Sequence, residues 1–299
     1  MKSRRKAHQM PVLQTEAEPT GLTETPTARP VALDPVWFGA RGDAAKLVQF
    51  GFRLAGGGAH QSKTMMLQEL EVLVATELTS GEELRAAVID GNVLGKPTRN
   101  TRKVTFRHVG SLYGLVDQPP LTKAFLGVWR THPHGHQLQA LLVALARDPL
   151  LRETARVVTD GAVGNKLQRP LFEEVLRSVF PDRFSDKMVR SLAQNCASSW
   201  TQSGHLKGAV KKLRQRVTPT PPTVAFAALI ATASGFGGPA MLSSGWMKVL
   251  DLAPEQALDA LRRAEAIGLA RVRSAGDVTE ISVRQPMAAA LGVPELEHV

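Results

Sequence analysis

The stretch from Glu82 to Tyr113, EELRAAVIDGNVLGKPTRNTRKVTFRHVGSLY, constrains the fold more than any other part of the chain. Leu84, Ala87, Val88 and Gly91 recur at the 3–4 spacing of an amphipathic helix running from Glu82 to about Asn92. Gly91 and Gly95 interrupt that period, and Pro97 biases Lys96 away from helical geometry. Thr98 is placed to cap a second helix through its hydroxyl. This helix opens with Arg99, Asn100, Arg102, Lys103 and Arg107, and Val109, Leu112 and Tyr113 make its core-facing end. A basic, polar helix start behind a short glycine-bearing turn can offer cations and amides to phosphates and base edges. An ordinary helical hairpin with a solvated basic face fits the same residues.

Charge favours the first reading. The 299 residues carry a net charge of +10, which suits a polyanionic partner but says nothing of the fold. Hydrophobic residues make up 43% of the chain, enough for a packed core. Aromatics are only 5%, with Tyr113 the single tyrosine, which argues against a single-strand binder built on stacked rings. Cys196 stands alone, excluding an internal disulfide and a thiolate zinc cluster. No apolar run reaches the roughly twenty residues of a membrane span. MKSRRKAHQM is basic without a following apolar segment, so the expected location is the cytoplasm.

Residues 1–42 read as a disordered tail punctuated by Pro11, Pro19, Pro26, Pro30 and Pro35. LVQFGFRL, residues 47–54, has the look of a strand. It leads into AGGGAHQSKT, where Gly57 to Thr64 falls one residue short of a phosphate-cradling nucleotide loop. That loop needs glycine where Ser62 stands. Without a βαβ series behind it, the stretch reads better as a flexible glycine loop ending in Ser62 as N-cap. A helix from Lys63 to about Glu77 would then bury Met66, Leu67, Leu70, Leu73 and Val74. With the two helices above, it completes a helix-turn-helix domain over 43–117.

Residues 118–234 read as a helical domain. Leu121–Arg130 and Gln137–Arg147 are apolar helices. Between them His132, His134 and His136 sit in a turn with no acidic or thiol neighbour, so no metal site is expected. Ser185 caps a helix bearing Met188, Leu192 and Cys196, the last read as a small buried side chain. SSWTQSGHLKGAVKKLRQRV then places Ser203 and other small donors ahead of an expected second basic helix with His205, Lys207, Lys211, Lys212, Arg214 and Arg216. Hydroxyls at a helix start and cations along it suit phosphate oxygens. TPTPP is a stiff linker, and Val224–Ala233 an alanine-rich apolar helix.

Residues 235–299 have the order of a winged-helix-like domain. One helix spans Ser243–Leu252 and another Glu255–Ile267 behind Pro254, followed by two short strands, LARVRS and VTEISV. Arg262, Arg263, Arg271 and Arg273 are possible wing contacts. The last residues, PMAAALGVPELEHV, read as a loosely held tail.

GGGAHQSKTMMLQELEVLV, AAVIDGNVLGKPTRNTRKV and SSWTQSGHLKGAVKKLRQ resemble successive landmarks of the BrxA family of bacteriophage-exclusion (BREX) defence systems. The family's N-x-L-x-K-x-x-x-x-T stretch falls on Asn92, Leu94, Lys96 and Thr101, and its tryptophan before a basic element on Trp200. The resemblance covers about residues 50–235. It implies an all-helical, non-catalytic DNA-binding component acting beside a methyltransferase and ATPases of the same system. The expectation is a mainly α protein without cofactor that grips double-stranded DNA through its backbone. Lys96, Thr98, Arg99, Asn100, Arg102, Lys103 and Arg107 form one contact set and the 203–216 cluster the other. Asn100 is best suited to a base edge, and an Arg102→Ala, Lys103→Ala double change should flatten the salt dependence by about two units. An adaptor that docks acidic partner proteins on the same surfaces is the competing class.

Overall fold

Side-chain caps set the starts of several helices. The computed structural model describes residues 37–39, 43–55, 57–276 and 278–299, and these are mainly helical. Asp43 accepts from Ala45 N at 2.9 Å and opens α1, Ala44–Phe50, so the expected strand over 47–54 is a short helix followed by a turn. Gly51, at φ +128°, ends it against Pro119, where a β-carbon would come within 2.9 Å. The next helix, α2, is Leu67–Ala75. It starts later than the hydrophobic spacing suggests because Ala59–Gln61 forms a 3-10 turn and Met66 is left-handed at φ 51°. Ser62 is therefore not its cap.

Helix α3, Gly81–Ile89, begins with a reciprocal cap between Ser80 and Glu83. Helix α4, Arg99–Tyr113, begins at Thr98, whose hydroxyl accepts from Thr101 N at 3.1 Å. Then follow α5, Pro120–Thr131, α6, His136–Arg147, and the short α7, Pro149–Glu153, and α8, Ala155–Thr159. After strand β1, Lys166–Leu167, come α9, Arg169–Val179, and α10, Asp186–Gln202. Ser185 caps α10 as its sequence implies, accepting from Met188 N.

The expected basic helix over 205–216 is absent. Leu206–Lys207 is strand β2 and Lys212–Arg214 is strand β3, which lies between β1 and β2 with both pairings antiparallel. Gly204 and Gly208 explain the difference. Both have positive φ, and at Gly208 a β-carbon would lie 2.3 Å from Lys211 O. The chain must turn there, and the lysines that mimic a helical period decorate a hairpin instead.

Helix α11, Pro221–Ala233, is the innermost element, with an unbroken buried run from Pro222 to Ala231. A helix apolar on every side needs cover on every side. Helices α5, α6, α12 (Gly238–Leu242), α13 (Gly245–Lys248) and α14 (Pro254–Glu265) supply it. Of the region expected as one helix over Ser243–Leu252, only the four residues Gly245–Lys248 are helical. Strands β4, Arg271–Ala275, and β5, Val278–Ser282, pair antiparallel beside α12 and α14. The last stretch is ordered: α15, Arg284–Leu291, and a 3-10 turn at Pro294–His298 pack on α5, burying Met287 and Leu296. At the other end, Trp37 and Phe38 are buried against Trp246, so these two do not behave as a solvated tail. Residues 1–36 lie outside the described part. Buried apolar side chains from Trp37 to Leu296 form one contiguous cluster.

Candidate nucleic-acid interface

The turn between α3 and α4 is built by its own polar groups. Asn92, left-handed at φ 53°, accepts from Lys96 N at 2.8 Å through its side chain. Lys96 reaches back to Glu69 on α2, 2.8 Å away and partly buried. Arg102 donates to Ile89 O and Lys96 O, both at 3.2 Å, which satisfies carbonyls at the end of α3 and in the turn. These two cations hold the turn rather than point outward. Arg99 is exposed but pairs with Asp90 at 2.9 Å. Asn100, Lys103 and Arg107 are exposed, and the two cations among them have no ion pair within the described residues.

The second set divides more sharply. Ser203, His205 and Arg214 are buried and cannot reach a duplex as they stand. Arg214 forms an internal ion pair with Asp251 and donates to Val158 O at 2.7 Å. His205 lies 2.7 Å from Val249 O and 2.8 Å from Ser203 Oγ. Burial pushes its pKa down to about 4, so it is a neutral crosslink. Lys207 and Lys211 are exposed on the hairpin, with Val210 between them 94% exposed. Lys212 donates to Thr201 Oγ1 at 2.8 Å, and partial burial lowers its pKa. Arg216 is exposed near Asp251 O. A cleft of about 590 Å³ separates the hairpin from α10, with Lys166, Arg169, Gln194, Ser198, Lys211 and Lys212 on its walls.

A chain of polar contacts joins the α4 surface to this hairpin. His108, next to Arg107, lies 3.1 Å from Ser62 Oγ. Burial, followed by the charges of Arg107 and Lys63, lowers the His108 pKa and favours the neutral ring. Two residues on from Ser62, Thr64 Oγ1 accepts from Gln202 at 2.9 Å. Thr201 then holds Lys212. The Arg107 and Lys63 charges thus lie near His108 at one end of these contacts, and Lys212 ends them at the hairpin. Lys63 and Lys166 were missed as contacts by sequence reasoning, whereas Thr201 was among the small donors it placed ahead of the second basic element. Lys63 was visible there only as the end of a near-nucleotide loop and the start of a helix. Arg262, Arg263, Arg271 and Arg273 are exposed on other elements, α14 and β4, with Arg262 beside Asp259 at 3.4 Å.

The glycine loop that precedes Ser62 cradles a carboxylate of the protein itself. A β-carbon on Gly58 would fall 1.8 Å from Asp148 Oδ1. Asp148 Oδ2 accepts from His60 N at 3.1 Å and lies 2.6 Å from His60 Nδ1. Nε2 of the same ring is 2.8 Å from Ser199 Oγ, which also accepts from Met65 N at 2.8 Å. This Ser–His–Asp arrangement resembles a hydrolytic triad in its order of contacts. All three side chains are wholly enclosed, and the serine hydroxyl is already committed to Met65 and Asn195, so the unit acts as a clamp between loop, α7 and α10. Cys196 is likewise buried, with its thiol pKa pushed up by burial. Among the described residues no group of three or more His, Cys, Asp or Glu is placed to hold a metal. No helix there is long and apolar enough to cross a membrane. No protein family and no curated protein matches this chain in comparison.

Proposed function

We propose that this protein binds double-stranded DNA, mainly through the phosphate backbone, as a non-catalytic component of a bacterial anti-phage system of the BREX type. The observation that carries the reading is the set of contacts linking His108 to Ser62, Thr64 to Gln202 and Thr201 to Lys212, along which the reading sets Lys103, Arg107, Lys63, Lys211 and Lys207 as one cationic band. Cations spaced over separate elements, with hydroxyl and amide donors between them, suit a strand of phosphates better than one compact anion. In this reading α3 and α4 act as a helix-turn-helix, with Asn100 and Lys103 on the outward side of the second helix. The β2–β3 hairpin provides a second grip at the groove edge. Helix α14 with β4 and β5 serves as a winged-helix-like unit.

The defence assignment rests on the BrxA-like motifs, whose residues have clear structural work. Asn92 and Lys96 build the turn in front of α4, and buried Trp200 donates to Thr154 Oγ1 at 2.9 Å behind the hairpin. A methyltransferase and ATPases would be the protein's working neighbours, in the cytoplasm. Fluorescence anisotropy with labelled duplexes of unrelated sequence tests the binding claim. At about 50 mM salt the expected result is saturable duplex binding, similar among sequences and stronger than to a single strand. Absence of duplex binding at that salt overturns it.

A further inference from the structure

A cleft of about 670 Å³ opens beside α4, between the Gly51–Arg53 turn and the segment that follows α4. Its sides are largely apolar, with Phe52 and Phe106 at the base and Val48 and Val116 at the rim. The two valines are 56% and 52% exposed, among the few large apolar side chains left to solvent. Three guanidinium groups also meet there, from Arg53, Arg107 and Arg147, against one carboxylate, Asp117.

Arg147 is committed to the fold, donating to Gly51 O, Ser111 O and Leu112 O. Its pKa is pushed down to about 10 by burial first and then by the neighbouring Arg53 charge. Arg53 donates to Ser111 Oγ at 2.6 Å and, like Arg107, has no ion pair within the described residues. Like charges gathered at an apolar wall repel one another, and a doubly charged anion relieves that repulsion. We infer that this cleft binds a phosphate monoester carrying a flat aromatic ring, a ligand of the nucleoside monophosphate class. Arg53, Arg107 and the Ser111 hydroxyl take the phosphate, and the ring lies between Val48, Val116 and Pro119. Asp117 offers an acceptor to an amino group on the ring.

The test is calorimetric titration of the full chain with AMP, adenosine and inorganic phosphate, with duplex binding measured on the same samples. AMP is expected to bind at least tenfold more tightly than either fragment. Arg53→Ala is expected to weaken AMP roughly tenfold or more while leaving duplex affinity within about twofold, since Arg53 is outside the cationic band. Val116→Asp, at the exposed rim, should weaken AMP similarly without disturbing the fold, as judged by an unchanged melting temperature. No AMP binding by a sample that binds duplex overturns the cleft assignment alone. AMP affinity unchanged in both variants, or adenosine binding as tightly as AMP, overturns it as well.

Discussion

A carboxylate with no exposed surface persists only where donors surround it. Burial raises the pKa of Asp148, but the His60 charge and the hydrogen bonds from His60 and Leu150 outweigh burial and leave it below the ordinary value. Asp148→Ala should therefore cost about 3–5 kcal/mol of stability in denaturant unfolding, because the loop, α7 and α10 lose their shared acceptor. His205 gives the pH dependence. Its folded pKa of about 4 lies below the ordinary 6.5, so its contribution is full above pH 6.5 and is lost as pH falls toward 4. Stability should drop by about 3 kcal/mol over that window, and His205→Gln should flatten the drop. The depressed carboxylate of Asp148 adds a further loss only at lower pH, as pH falls through its folded value. Neither role was legible locally. The acceptor for His205 is Val249 O, 44 positions on, and His60 lies 88 positions from Asp148, so short-range spacing placed His205 on an outward basic helix.

Most helices were readable from sequence through hydrophobic spacing or caps, Ser62 being a false cap, and several turns made by tertiary contact were not. Thr98, Ser185 and the proline at the start of α14 mark real helix starts. The β2–β3 hairpin escaped because its strands are only two and three residues long, too short to show alternation. The glycine loop escaped because its shape is set by a carboxylate from α7's cap. Gly58→Ala should destabilise the protein by about 3 kcal/mol, since the new β-carbon meets Asp148. At Gly95, where φ is +61° but the space is open, alanine should cost only about 1 kcal/mol. Comparative thermal melts of the two variants check the contrast. The candidate site changes in the same way. Arg102 belongs to the turn, so the Arg102→Ala, Lys103→Ala pair would mix a folding defect with a lost contact. Lys103 and Arg107 are the cleaner pair.

At the scale of the molecule, one apolar cluster fixes α4, the 60–64 loop, α10 and the hairpin relative to each other, and so fixes the places of the cations in the proposed band. The mainly helical class followed from hydrophobic spacing, and the excess of cations from composition. The path that links them needed the folded chain, because the Ser62–His108 and Thr64–Gln202 contacts join segments 46 and 138 residues apart. Neutralising one end of the band should weaken duplex binding while the other end still holds. The central measurement is the salt dependence of duplex affinity for the native chain and for Lys103→Ala, Arg107→Ala, Lys207→Ala, Lys211→Ala combined. If the band grips the backbone, the log–log slope flattens by roughly three to four units in the variant, whatever the duplex sequence. A slope unchanged in a variant that melts normally would contradict the account.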